Sequence, residues 1–406
     1  MSSRLVAIGL ASLAATASVA GAQSTLTYQQ ALAMARDRAP RVAIARARID
    51  EARGRVIGAQ IRFRDNPVLD FSAGPRRLET GTVTDFDLGL SQVFELGPRR
   101  AARVDAAQAA VSRETAIADA SLRHVVRDVA VAFVRALAAQ NRLEALRVDE
   151  GLAKEAVDVA ERRYRAGDVA VLSLNLARGA LARATSRIGA AEADRQRALG
   201  ELKALLAWTD ATGPVVVGDL REFIREASEG QSVSSAQRPE AQMLAAEVAE
   251  GDATMRLGRA LTKPDLGIGF RLKREEAHDA AAGAISIMLP LFSKGQEQSA
   301  VGTAQIRRAE LERRSVMTEI DVRAQSALAV FRLRVAATEP LELDVLPGLE
   351  ENERLARRSF EVGELSLPDL LVIRREFVDT RLQYLDALAE TAVASVDWQA
   401  AAGVLK

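Results

Sequence analysis

No cysteine occurs in the 406 residues. That excludes a disulfide framework, an iron–sulfur cluster, a thiol nucleophile and any cysteine-ligated zinc. Only two histidines are present, His124 and His278, too few for a histidine metal site. His124 lies beside Val125 and Val126 in a helical stretch. His278 lies in a charged run, Lys273 to Asp279, where a metal role with Glu275, Glu276 or Asp279 is weaker than a solvated loop. Aromatics make up only 4% of the chain and prolines number 11. Net charge is also missing: 55 basic and 55 acidic residues cancel, so nothing draws the whole chain to nucleic acid. There is no phosphate-binding glycine loop, no dinucleotide fingerprint and no serine nucleophile elbow. The chain therefore reads as a non-enzyme without cofactor or resident metal. Past the N-terminal segment, the longest charge-free run is 280–293, too short for a membrane-crossing helix.

What is present is helix-forming material, rich in alanine, leucine, arginine and glutamate, with 48% hydrophobic residues. The N-terminus opens with Arg4, an apolar stretch over 5–20, and the small residues Ala20-Gly21-Ala22. That pattern predicts a signal peptide over 1–22, cleaved before Gln23, and an exported protein. No cysteine follows to carry a lipid anchor.

The mature chain echoes itself at a shift of roughly 195–200 residues. Pro67 and Leu69 match Pro264 and Leu266; Phe94 and Gly97 match Phe292 and Gly295; Gly167 matches Gly363; Pro40 matches Pro239. The spacing predicts a first repeat over 23–220, a connector over 221–236 and a second repeat over 237–406.

Each repeat begins with a helix, the first over 27–60 with Thr27 as N-cap and Gln30 at the capping-box position. A hairpin follows. In the first, about 67–93, Leu69, Phe71, Ala73 and then Phe86, Leu88, Leu90 alternate with polar residues on either side of a loop at 75–82. In the second, about 264–291, Leu266, Ile268, Phe270 and Leu272 alternate, and Ile285, Ile287 and Leu289 form the return. Period two with one apolar face fits a half-buried sheet on a helical body. It fits equally well a lipid-facing wall. Four strands cannot close a barrel, and open edges cannot stand in lipid, so the second reading demands several copies.

Long helices flank the hairpins. From Pro98, suited to a first helical turn, to about Arg165 no strong break appears, and Leu122, Val126, Val129, Phe133 and Leu137 mark an apolar stripe. Return helices run from about 172 to 208 and from about 368 to 402. Pro340 and Pro347 predict a break between helices at 296–338 and 349–361. Tips fall near 165–170 and 361–367, where Gly167 and Gly363 would take the left-handed, helix-ending conformation.

Over almost the whole mature chain this order resembles the TolC-like outer-membrane efflux protein family, the exit ducts of tripartite export systems. The resemblance implies a homotrimer, with four strands per chain in a shared 12-stranded β-barrel within outer-membrane lipid and long helices in a periplasmic α-barrel. It implies a periplasmic adaptor and, through it, an inner-membrane pump of the resistance-nodulation-division type. Gly97-Pro98-Arg99-Arg100 partly resembles the Gly-Gly-Lys-Arg junction of the heavy-metal branch. Gly97 and Gly295 would free the backbone between barrel and helix, and Pro98 and Pro290 would restrict it. The family's tips meet the adaptor, which points to Arg163, Arg165, Gly167, Asp168, Arg358, Gly363 and Glu364. Asp369 falls where family members ring the closed aperture with aspartate, although the second such position here is Val372. Asp369 also follows Pro368, so a plain helix-start carboxylate fits it as well. The implied cargo is metal cations or small toxic compounds. The competing class is a secreted coiled-coil scaffold or adhesion protein.

Overall fold

The computed structural model describes residues 25–79, 81–210, 213–227, 232–275 and 278–405. The expected signal peptide lies outside the described residues. The chain runs β1 (Thr25–Thr27), α1 (Tyr28–Arg38), α2 (Pro40–Gln60), β2 (Val68–Leu78), β3 (Gly81–Glu95), α3 (Arg99–Ala166) and α4 (Val171–Leu206). It continues with β4 (Val215–Val217), α5 (Leu220–Ala227), α6 (Pro239–Ala260), β5 (Asp265–Glu275) and β6 (His278–Met288). Then follow α7 (Gln296–Pro340), a π-helical segment (Leu341–Val345), α8 (Leu346–Val362) and α9 (Leu367–Ala402). Mainly helical with membrane hairpins is the class the sequence predicts.

Helix α3 is 68 residues long, roughly 100 Å at about 1.5 Å per residue. A helix of that length needs lateral partners. Small residues every seven positions supply the seams: Ala153 and Ala160 on α3, Ala177, Ala184 and Ala191 on α4, and Ala45, Ala52 and Ala59 on α2 are all buried. The seven-residue period is that of coiled-coil packing, and alanine lets the axes approach closely. Glycine takes this further between α6 and α7. A Cβ on Gly302 would sit 2.6 Å from the Gly251 carbonyl oxygen, and one on Gly258 would sit 2.7 Å from that of Gly295.

Midway along α3 the helix is buried on several sides. Val125, Val129, Phe133, Val134 and Leu137 pack with Leu26, Leu32, Leu202, Leu206, Val216, Leu220 and Leu388. This belt includes strands β1 and β4, a parallel pair in which Leu26 faces Val216. Helix α5 docks there too: Phe223 meets Tyr28 edge-on at 4.7 Å between ring centroids, and Trp398 Nε1 donates to the Ala227 carbonyl at 3.2 Å. The connector between the repeats is therefore partly folded into the core.

The four hairpin strands form one antiparallel sheet in the order β2-β3-β5-β6. The loops expected at 75–82 and around 273–279 are shorter than the sequence suggests. Pairing continues to Leu78 opposite Gly81 and to Glu275 opposite His278. Pro75 does not stop the ladder to β3 because within one copy β2 has a strand on one side only, so a missing N–H on its other side breaks no bond of this sheet.

Two further expectations are corrected. The helix at 27–60 divides at Ala39, whose ψ of 132° is extended, because the ring of Pro40 disfavours a helical residue before it. Pro340 and Pro347 do not break the chain out of helical structure. The chain takes one π turn, in which Leu346 N–H reaches back to the Leu341 carbonyl, and helix α8 follows directly. A wider turn accommodates donors missing at proline without leaving the helix.

Candidate functional site

The sheet has two chemically different faces. Cross-strand rows place Leu69, Leu90 and Phe270 side by side, then Phe71, Leu88 and Leu272. Ile268, Ile285 and Ile287 extend the same face, which stays open to the surroundings: Leu69 is 69% exposed and Ile285 77%. An apolar patch this continuous marks contact with lipid or protein. The other face carries Asp70, Asp85, Asp87, Arg76, Arg271, Lys273 and Glu275. Arg271 Nε lies 3.4 Å from Asp87, and Arg76 Nη2 lies 2.7 Å from Asp85 and 3.5 Å from Glu275. The arrangement is that of a wall with hydrocarbon on one side and water on the other. Strands β2 and β6 are its two free edges.

Where the sheet meets the helices, Gly97 and Gly295 both take positive φ, +77° and +72°. Pro98 is the N-cap residue of α3, one position before the helix, and Pro290 lies in the turn after β6. The arginines that follow do most of the fastening. Glu95 and Asp265 face each other across β3 and β5, a like-charge pair that would repel. Arg99 bridges to Asp265 and Arg103 to Glu95, with all four side chains largely buried. Arg103 also donates to the carbonyls of Ala59 and Ile61, both at 3.2 Å, and Arg100 Nη2 donates to that of Gln60 at 2.9 Å. These are the free carbonyls at the end of α2, where cations are favoured. Sequence reasoning pointed to the glycine and proline and missed Arg103. A signal existed: Arg99, Arg100 and Arg103 crowd the first two turns of α3, where cations oppose the helix dipole and so answer to specific acceptors.

Both tips close in the same way. Gly167 (φ +82°) and Gly363 (φ +87°) end their helices in the left-handed conformation that glycine adopts without Cβ strain. Asp168 N–H donates to the Arg163 carbonyl at 2.9 Å, and Glu364 N–H to that of Ser359 at 2.9 Å. The tips are joined to each other. Arg163 Nη2 donates to the Phe360 carbonyl at 3.0 Å, and its guanidinium lies 4.5 Å from the centre of the Phe360 ring. Arg165 pairs with Glu161 on its own helix at 3.0 Å. Arg358, Asp168 and Glu364 have exposed side chains. Ser366 caps α9: its Oγ accepts from the Asp369 N–H at 3.4 Å, and its hydroxyl donates to Asp369 Oδ2, in the first turn, at 2.5 Å. The helix-start reading of Asp369 is thus realised, and its side chain remains exposed.

Above the tips lies a buried charge layer that the sequence did not reveal. Arg374 on α9 donates through Nη1 to the Leu152 carbonyl of α3 at 2.9 Å, and its Nε lies 3.4 Å from Glu353 on α8. Arg357 also donates to Glu353 at 2.9 Å. Burial pushes the Arg374 guanidinium below its ordinary value, against the opposing pull of Glu353. Nearby, burial raises the Asp149 carboxyl above its ordinary value despite the attraction of Arg187 and Arg374.

The profile of the outer membrane efflux protein family matches residues 31–207. The cobalt-zinc-cadmium resistance protein CzcC of Cupriavidus metallidurans is 27% identical over 387 residues, covering 91% of this chain and 88% of the relative. The chain is thus similar to the outer membrane efflux proteins, over 31–207 by the family profile and over nearly its whole length by this relative. Among solved structures, the fold is similar to CusC, with a TM-score of 0.73 at 17% identity, covering 92% of this chain and 91% of that one. It is also similar to the CmeC outer membrane channel of Campylobacter jejuni, with a TM-score of 0.71 at 14% identity, covering 93% and 85%. The protein is an outer-membrane exit duct with a periplasmic helical extension, a passive conduit and not an enzyme. The lipid reading of the hairpins therefore prevails over the secreted scaffold. Related ducts are trimers that work with adaptor proteins and inner-membrane pumps.

Proposed function

We propose that three copies of this chain close a single duct whose cargo is metal cations, fed by an inner-membrane pump through a periplasmic adaptor. The observation that carries the oligomer is the sheet itself. Its apolar face suits lipid, yet β2 and β6 leave two rows of backbone groups unpaired, which hydrocarbon does not tolerate. The metal cargo is supported by the name of the Cupriavidus metallidurans relative and by the partial Gly97–Arg100 junction match. The chain serves this role as a duplicated unit, 23–220 and 237–406 around a connector, and its two tips and two collar glycines repeat the same conformations.

The exposed Arg358, Asp168 and Glu364, with Arg165 beside them, offer both signs of charge to the adaptor. Arg163, held on Phe360, fixes the tips relative to each other. Asp369 is the gate candidate. Three exposed carboxylates about one axis would focus negative potential on a narrow opening and draw cations.

The test is a deletion strain that retains its pump and adaptor. Loss of tolerance to zinc, cobalt or cadmium, restored by the gene, supports the metal reading. Loss of tolerance only to dyes and detergents moves the cargo to small organic compounds. A detergent-corrected mass of one chain would overturn the duct.

A further inference from the structure

The register at which neighbouring copies join can be derived from the pairing within one copy, given the oligomeric duct proposed above. Along the hydrogen-bonding direction Ala73 faces Phe86, Phe86 faces Arg274 and Arg274 faces Asp279. Ala73 stands five residues from Leu78 at the turn end of β2, while Asp279 stands one residue from His278 at the turn end of β6. The row therefore climbs four residues toward the turns as it crosses one copy. To continue on the same face it must meet the next copy's β2 at Pro75, Arg77 or Glu79, since a shift by one residue would exchange lipid and water faces.

Geometry and charge separate these three. With about 3.4 Å per residue and about 4.8 Å between strands, Pro75 gives a strand tilt of about 20°, Arg77 about 35° and Glu79 about 47°. Closed barrels tilt by about 35–45°. The tilt depends only on the climb per copy, so register and copy number are separate questions. In the Arg77 register all eleven residues of β2 face all eleven of β6, from Val68 opposite Met288 to Leu78 opposite His278. Phe71 then meets Ile285 and Leu69 meets Ile287 on the lipid side, while Ser72 meets Ala284 and Asp70 meets Ser286 inside. Asp279, whose carboxylate lies 2.9 Å from Arg274 Nε, stands between two guanidiniums. Arg77 forms no ion pair among the described residues and gains one there. The Glu79 register sets Asp279 against a second carboxylate and leaves two residues of each strand overhanging.

We propose that adjacent copies join through β2 and β6 along their full length, with Arg77 of one copy facing Asp279 of the next. The cysteine-free chain allows a clean test by oxidation in native membranes. Ser72→Cys with Ala284→Cys should give a ladder up to a covalent trimer on a non-reducing gel, at least tenfold faster than Ser72→Cys with Ser286→Cys. Arg77→Cys with Asp279→Cys should behave like the first pair. Faster bridging of Ser72→Cys with Ser286→Cys would overturn the register. So would absence of bridging in every pair while light scattering still finds trimers. If the unmodified protein is not oligomeric, the duct proposal itself fails, and that result is read before any cysteine is introduced.

Discussion

Arg374→Met should loosen the contact between α8/α9 and α3/α4 without unfolding either pair. The side chains of Arg374 and Glu353 are only 11% and 10% exposed, so solvent screens their attraction little. Removing one partner of a buried ion pair costs about 3–5 kcal/mol, because the other charge is left behind. Here the loss is tempered. Glu353 keeps Arg357 at 2.9 Å, although that side chain is 41% exposed and its charge is screened. The Leu152 carbonyl loses its charge-assisted donor but can be solvated when the layer opens. About 2–3 kcal/mol remains as the expected cost. Hydrogen exchange of the protein in detergent should show it as roughly 30- to 150-fold lower protection for amides around Leu152 and along α8. Protection in the equatorial belt around Phe133 should stay unchanged. Adding Glu353→Leu should recover most of the loss, since an apolar pair of similar volume replaces the ion pair at little cost. A change below threefold in the single variant, or a double variant weaker than the single one, would refute the role assigned to this layer.

Asp149 carries a pH signature. Its folded-state value is raised by burial, so it contributes stability that is complete below about pH 4 and is lost as pH rises through the folded value. Asp149→Asn should therefore melt higher than the unaltered protein at pH 7 and equal to it near pH 3.5; a gap of the same size at both pH values would contradict the burial account. Leu90→Arg, in the middle of the apolar face, should cost about 2–4 kcal/mol in a urea titration of the membrane-inserted protein. Ser91→Arg, on the water side, should cost much less, and equal effects would disprove the face assignment. Arg103→Ala should lower stability by about 3 kcal/mol by leaving Glu95 opposite Asp265 and baring the end of α2. Adding Glu95→Gln should restore part of that loss in thermal melts, and a neutral single variant would show that the collar does not depend on this arginine.

The parts of the fold legible in the sequence are those encoded by neighbouring residues. The alternation of Phe86, Leu88 and Leu90, the glycines that end α3 and α8, and the Thr27–Gln30 capping box each act within a few positions, and the capping box forms with both of its hydrogen bonds. The hairpins proved longer than expected because Pro75 and the charged run at 273–279 look like loop. Both are compatible with an edge strand and a water-facing wall. The equatorial belt was not legible, since β1 and β4 are three residues each and pair across almost half the chain. Likewise Arg103, Arg374 and Glu353 look like ordinary charges on long helices. Their importance arises only from register and burial, neither of which a local pattern records. Pro340 and Pro347 misled in the opposite sense, because a π turn can absorb what two prolines remove.

The distribution of charge links the fold to the work of a conduit. The chain is neutral as a whole, so no long-range field selects its cargo. On the water side of the sheet, carboxylates and cations sit within a few ångströms of each other, Asp87 with Arg271 and Asp85 with Arg76. Their potentials largely cancel at the scale of a hydrated ion. The collar acids are likewise matched one for one by Arg99 and Arg103. A wall of this kind is wet and polar without holding an ion, which suits rapid passage. Discrimination is then expected where exposed carboxylates face no cation, and on the gate reading proposed above that place is Asp369, whose carboxylate among the described residues accepts from the Ser366 hydroxyl alone. The same end is fastened by an apolar cluster around Phe360 and Leu370, much smaller than the belt around Phe133, backed by the Arg374 layer. Selectivity and opening would thus be placed at one end, leaving the long helical body and the membrane wall free to be rigid.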